Sequence, residues 1–136
     1  MIKFRGIPLE DTSDIDGVEF DGTFVYGNYI KYGEGALIVG NAVQADEDGC
    51  WPSWWVPVNP DTVEQFTGLT DVNGKEIYIG DILENRKYRS IVKFASGKFL
   101  ADLIETIQTF DLIGETHGSK VIGNVHENPE LLEEKK

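Results

Sequence analysis

A single cysteine, Cys50, cannot close an internal disulfide, so the chain is one that suits a reducing compartment. No long apolar run is present, and Lys3, Arg5, Glu10 and Asp11 interrupt the start, which excludes a membrane helix or signal-peptide pattern there. The expectation is a soluble, intracellular, cytoplasmic protein. Positive charge is also scarce: 12 Lys and Arg stand against 24 Asp and Glu, a formal net charge of -12. The deficit is uneven, with 3 basic and 11 acidic residues in 1–61 (-8) and 9 and 13 in 62–136 (-4). Such a surface repels phosphate backbones instead of releasing their counterions, so direct nucleic-acid binding is disfavoured.

Catalytic and cofactor patterns are missing as well. His117 and His126 have no HExxH or cysteine spacing, and Gly33, Gly35 and Gly40 match neither a dinucleotide nor a phosphate loop. Asp14, Asp16 and Gly17 superficially suggest a calcium loop, but Thr12 and Thr23 fall where its first and last ligands belong. Asp46, Asp48 and Gly49 fail in the same way, with Gln44 and Trp55 at those places. Both stretches read as solvated acidic turns. Cys50 reads as a small apolar residue beside Trp51. No cofactor or metal is expected.

What is there is turn chemistry and short β patterns. The 136 residues fit one domain, or two small β units, and can bury roughly two-thirds of their unfolded surface. Hydrophobic residues at 40% with 15 glycines suit a turn-rich β protein. The spacing predicts a strand over 2–8, a hairpin at Asp21-Gly22 leading into 23–32, and a strand over 36–43. Pro57 and Pro60 demote the following stretch to an edge or connector, and a soft boundary falls near residue 60. Residues 62–65 read as a helical turn. The stretch 62–84 then holds Gly68, Asp71, Asn73 and Gly74, an Asx-rich reversal, followed by strand residues up to a bend at Gly80-Asp81. Residues 91–94 and 98–103 make a hairpin across Ala95-Ser96-Gly97. Residues 99–113 fit helix or strand by periodicity. Lys120 to Val125 is a last strand, and Asn128-Pro129-Glu130 starts a short C-terminal helix.

Gly68-Leu69 with Asp71-x-Asn73-Gly74-Lys75-Glu76-Ile77-Tyr78-x-Gly80-Asp81-Ile82 resembles the signature of YopX-type proteins, a family of phage and prophage products. Lys3-Phe4-Arg5-Gly6 and Val25-Tyr26-Gly27 are similar to the family's opening. Val121-Ile122-Gly123-Asn124-Val125-His126-Glu127-Asn128-Pro129-Glu130-Leu131 is similar to its closing motif, so the likeness spans most of the chain. Ile79 departs from the family's usual Glu, and His126 from its usual Tyr. The resemblance implies a mainly β fold, small oligomers in a bacterial host and no established chemistry. On family grounds 99–113 is expected as strands. By analogy, 1–60 forms an N-terminal β subdomain and 61–136 a small SH3-like barrel with a helical tail.

Trp51, Trp54 and Trp55 surround Pro52, and tryptophan is enriched at interface hot spots. Neighbours in a strand face opposite ways, so one of Trp54 and Trp55 is expected in the core and the other at a surface or subunit contact. The basic cluster Arg86, Lys87, Arg89, Lys93 and Lys98 reads first as a charged, edge-protecting hairpin. A phosphate contact, or a dock for a neighbour's acidic half, comes after it. Three functions follow. The first is a non-enzymatic homo-oligomer that acts by contact with itself or with a host or phage protein. The second is an acidic decoy that occupies a nucleic-acid-binding host protein. The third, least supported, is an enzyme assembled from Asp81, Glu84 or His126.

Overall fold

The computed structural model describes residues 3–40 and 43–132. The side chains of residues 43–46 and of Cys50 lie outside the described set, and so does the end of the C-terminal segment, 133–136. The fold is mainly β, with two antiparallel sheets, a small hairpin and little helix. Packing divides the chain into two compact units, Met1–Gln65 and Phe66–Lys136. Among the described residues no helix is long and apolar enough to cross a membrane.

In the first unit, β1 (Phe4–Gly6), β2 (Val25–Tyr32), β3 (Gly35–Val39) and β6 (Trp55–Val58) lie in the order β6-β3-β2-β1. The start of β7 (Glu64–Thr70) pairs with β1 through Arg5 and Glu64. A separate hairpin joins β4 (Val43–Asp46) to β5 (Gly49–Pro52). One sheet face is the core: Val25, Ala36, Ile38, Val56 and Val58 are buried, with Ile15 and Val18 of the loop before β2 packed on them. Trp54 completes this core because Gly40 makes room for it. A Cβ built at Gly40 would lie 2.5 Å from the indole Nε1.

The buried pair Arg5–Glu64 holds the first unit's two ends together. Its Nη2–Oε1 distance is 2.8 Å, and the guanidinium also sits 4.2 Å from the Phe24 ring centroid. A buried charge is tolerated only when paired and hydrogen-bonded, and this one is both. Nearby, Asp21 accepts from the Tyr26 hydroxyl at 2.6 Å and from the amides of Thr23 and Phe24. Burial and then the Asp21 carboxylate push the Tyr26 phenol upward, so it stays a donor at any ordinary pH.

The second unit is built on β8 (Glu76–Tyr78), β9 (Asp81–Glu84), β10 (Arg89–Ala95), β11 (Lys98–Leu103), β12 (Thr109–Asp111) and β13 (Lys120–Asn124). Five of them form a sheet in the order β12-β11-β10-β9-β13. Ile77, Leu83, Val92, Ala101 and Leu112 form its core, with Leu69, Phe99 and Val121 against them. A helical turn, α1 (Leu112–Glu115), precedes β13, and Tyr88 ties it to β10 by donating to the Glu115 carboxylate at 2.9 Å.

Several expectations need correcting. The sheet is open, with β12 and β13 at its edges, so the strands do not close into the expected barrel. The helical turn expected at 62–65 sits at Pro60–Thr62, because the Asn59 side chain accepts from the Asp61 amide and Pro60 supplies a preset φ. The strand expected over 36–43 ends at Val39, and residues 41 and 42 lie outside the described set. The Asp21-Gly22 reversal forms, with the Asp21 amide donating to the Phe24 carbonyl and the Tyr26 amide to the Glu19 carbonyl, but its ladder is a single bridge, Phe20 to Val25, and the Asp21 carboxylate caps the Thr23 and Phe24 amides of the turn. Over 107–113 only Thr109–Asp111 is strand, and Leu112 opens α1. The C-terminal helix is a 3-10 turn, Pro129–Leu132, within the described residues.

Candidate functional site

The signature residues and the tryptophans singled out by the sequence do different work. The signature residues lie in the second unit and hold backbone. Asp71 accepts from the amides of Asn73 and Lys75 through Oδ1, and from Val121 of β13 through Oδ2, at 2.8 to 2.9 Å. Gly74 closes this reversal at φ +82°, and Asn73 precedes it on the exposed tip. Burial alone would raise the Asp71 pKa, but the Val121, Lys75 and Asn73 amides and the Lys75 charge outweigh it and lower it. Gly68, also left-handed at φ +82°, sits where the β7–β8 register shifts, and the Thr67 hydroxyl there donates to the Ile77 carbonyl.

Gly80 turns the chain between β8 and β9 at φ +91°, and Asp81 behind it is 1% exposed. The Asp81 carboxylate accepts from the Tyr78 amide at 2.8 Å, while the Asn124 side-chain amide lies 3.5 Å away and donates to the Gly80 carbonyl at 3.2 Å. The closing motif continues this chain of bonds. The Asn124 side-chain oxygen accepts from His126 N, and the Asn128 side-chain oxygen accepts from Asn124 N. Gly123 admits that Asn128, since a Cβ there would lie 2.6 Å from its oxygen. Glu84 is ion-paired with Arg89 at 2.9 Å, and His126 is exposed. Of the residues weighed for catalysis, Asp81 and Glu84 are thus engaged in folding contacts.

The tryptophans form the second set, in the first unit. Trp54 is 8% exposed in the core and Trp55 is 56% exposed on the other side of the strand. Trp51, on β5, is also exposed. The register shows what surrounds Trp55: Ile30 lies beside Leu37 and Pro57, Val39 beside Trp55, and Tyr32 opposite Gly35. Strand alternation puts these side chains on the sheet face opposite Val25, Ile38 and Val56, where Val39 is nevertheless buried. Ile30, Tyr32 and Trp55 are exposed there, Tyr32 at 76%, and Leu9 joins them. Leu9 is placed by its amide, which donates to the Pro57 carbonyl at 3.0 Å.

Leu9, Tyr32, Leu37, Trp55, Pro57 and Pro60 line a hollow of about 440 Å³ whose walls carry no charged side chain. In a chain of net charge -12, this is a wide apolar face with no built-in repulsion toward another apolar surface. Tyr32 was not singled out in the sequence, nor were Leu37 and Leu9. The signal of Tyr32 and Leu37 was the two-residue period shared with Trp55 and Pro57, which has meaning only once the strands are in register, and Leu9, in no strand, joins them only through the fold. Among the described residues, no group of three or more His, Cys, Asp or Glu side chains is gathered to hold a metal ion.

Comparison with known proteins adds a family and a structural likeness. A family model described as YopX protein matches residues 14–133. No curated protein matches the chain. Among solved structures, the crystal structure of protein EF1440 from Enterococcus faecalis is similar, at 24% identity and a TM-score of 0.48, covering 98% of this chain and 99% of that one.

Proposed function

The chain belongs to the YopX protein family, and on that premise we propose that it works by protein contact, as a non-enzymatic homo-oligomeric module of phage or prophage type in the bacterial cytoplasm. The observation that carries the reading is the exposed, charge-free face around Trp55 and Tyr32. A second copy is the occupant that fits it. Each copy is strongly acidic, so two copies approach most readily through a face that bears no charge. An apolar face meeting its own symmetry mate also needs no complementary partner surface. Two such faces would stack about 10 Å apart, as sheets do, burying Trp55 and Tyr32 as the anchors of the contact. The second unit is read as SH3-like in topology: four strands in meander order, then α1, then a fifth strand returning beside the first. That likeness describes a fold and assigns no role.

Trp55→Lys with Tyr32→Lys tests the contact. The expected result is a fall to the monomer mass in sedimentation, with the melting profile of the monomer retained because both side chains are on the surface. An unchanged assembly, or a native protein already monomeric at high concentration, overturns it.

The decoy reading keeps one supporting observation. Glu10, Asp11, Asp14 and Asp16 are all exposed on the loop before β2, and Ile15 anchors that loop in the core. A fixed array of carboxylates can imitate backbone phosphates. If it does, a neutralised loop (Asp11→Asn, Asp14→Asn, Asp16→Asn) loses its capacity to displace an oligonucleotide from the host partner, and the apolar-face variant does not.

A further inference from the structure

Three cations of the second unit's sheet are already matched. Arg89 pairs with Glu84, Lys93 with Asp102 at 2.7 Å and Lys98 with Asp111 at 2.9 Å. The side chains of Arg86, Lys87 and Lys120 differ: among the described residues they have no ion pair or hydrogen bond. Arg86 and Lys87 occupy the turn between β9 and β10, and Lys120 opens β13, the strand paired to β9 on its other side. Lys120 stands opposite Glu84 in that pairing. Sheet topology therefore brings together cations that are more than thirty residues apart in sequence.

The turn that carries Arg86 and Lys87 is held in shape. The Asn85 side-chain oxygen accepts from the amides of Lys87 and Tyr88 at 2.8 and 3.0 Å, and the Asn85 amide donates to the Tyr88 carbonyl. Arg86, Asn85, Lys120, Gly118 and Val72 line a hollow of about 260 Å³. Its one carboxylate, Glu84, is bonded to Arg89 at 2.9 Å. A second hollow of about 300 Å³ shares Glu84, Asn85 and Arg86 and adds Lys87 and Arg89 to its walls, with Glu105 as its second carboxylate.

We propose that the Arg86–Lys120 hollow beside the β9–β10 turn binds a compact phosphate-bearing ligand. The guanidinium fork suits phosphate oxygens, the lysine adds a point charge, and neither must be released from another partner first. The size of the ligand follows from the rest of the charge. At ordinary salt the cation patch acts over a screening length of about 10 Å, and beyond it the ligand meets the field of an acidic protein. A phosphate or diphosphate group stays within that range. An extended polynucleotide runs out of it and is repelled, so the site favours a small ligand over a polymer.

Inorganic pyrophosphate is a sufficient probe. Titrated into the full chain, it is expected to give saturable amide chemical-shift changes confined to residues 71–73, 84–89 and 118–120. In Arg86→Gln with Lys120→Gln, affinity should fall at least about tenfold, equivalent to about 1.4 kcal/mol. Lys98→Gln removes a cation elsewhere on the sheet and should leave binding unchanged. The circular dichroism of each variant confirms the fold, and because the apolar face is untouched the oligomer mass should not move. No saturation below about 10 mM, which is weaker than a specific site warrants, overturns the proposal. So do shifts scattered over the surface, equal loss in Lys98→Gln, or tighter binding of a single-stranded oligonucleotide than of pyrophosphate.

Discussion

At the scale of single residues, Asp71 shows why a family signature can be rich in polar residues without being an active site. One carboxylate accepts three backbone amides, two from its own turn and one from β13, fifty residues later. All three bonds favour the ionised form, which is why the pKa is lowered despite burial. The sign of the pH dependence follows. A group whose folded pKa lies below its unfolded value stabilises the fold above the unfolded pKa, and that stability is lost as pH falls through the folded one. Asp71→Asn keeps an oxygen but must point an amide at one of the donors. Denaturant titration at neutral pH should show it less stable by about 1 to 3 kcal/mol, the penalty for a buried hydrogen bond left unmade. The gap between the two proteins should narrow as the pH falls through the acidic range where the native carboxylate protonates. A gap constant across that range would mean the ionised form has no special part in the fold.

At the scale of elements, the β10–β11 hairpin has one local mismatch. Its two-residue turn, Ser96-Gly97, closes the Ala95–Lys98 pair with both residues at positive φ, +54° and +81°. Glycine accepts that conformation freely, but serine does so poorly, and Asn-Gly is the pair such turns favour. Ser96→Asn is expected to raise stability by about 0.5 to 1 kcal/mol, read as an upward shift in the calorimetric melting temperature, with no change in oligomer mass. A lower melting temperature would show that the serine hydroxyl makes up the backbone cost. This hairpin was legible in the sequence because its information is local: branched residues flanking Ser-Gly. Much of the signature turn was legible for the same reason, as Asp71, Asn73 and Gly74 are within four residues of one another. The Trp54 and Trp55 alternation needed only the period of a strand. Long-range facts were not legible. The Arg5–Glu64 pair spans fifty-nine residues, and Lys120 joins Arg86 only through the β9–β13 pairing. The basic cluster read as one edge-protecting group divides instead into matched cations on β10 and β11 and unmatched ones at the turn. The Asp21-Gly22 reversal was legible but the length of its ladder was not, because past the Phe20–Val25 bridge β2 pairs with β1 and β3, strands set elsewhere in the sequence.

At the scale of the whole molecule, a charge of -12 and an apolar face make opposite demands on assembly. Two copies brought together repel through their net charge, and salt weakens that repulsion because its screening length falls from about 30 Å at 0.01 M to about 10 Å at 0.1 M. Burial of Trp55, Tyr32 and Leu9 against a second copy involves no charged group in the hollow and is not weakened by screening. Self-association through this face should therefore strengthen as sodium chloride is raised from low to moderate concentration. A contact between the acidic loop of one copy and the cations of another would weaken over the same range. Sedimentation equilibrium along a salt series separates the two signs. Repeating it with Trp55→Lys separates the face from general screening, because a lysine on each copy places two cations where the apolar surfaces must meet, and the salt-promoted oligomer should be lost. Assembly that falls with salt in the native chain, or rises equally in the variant, would place the contact away from the Trp55 face.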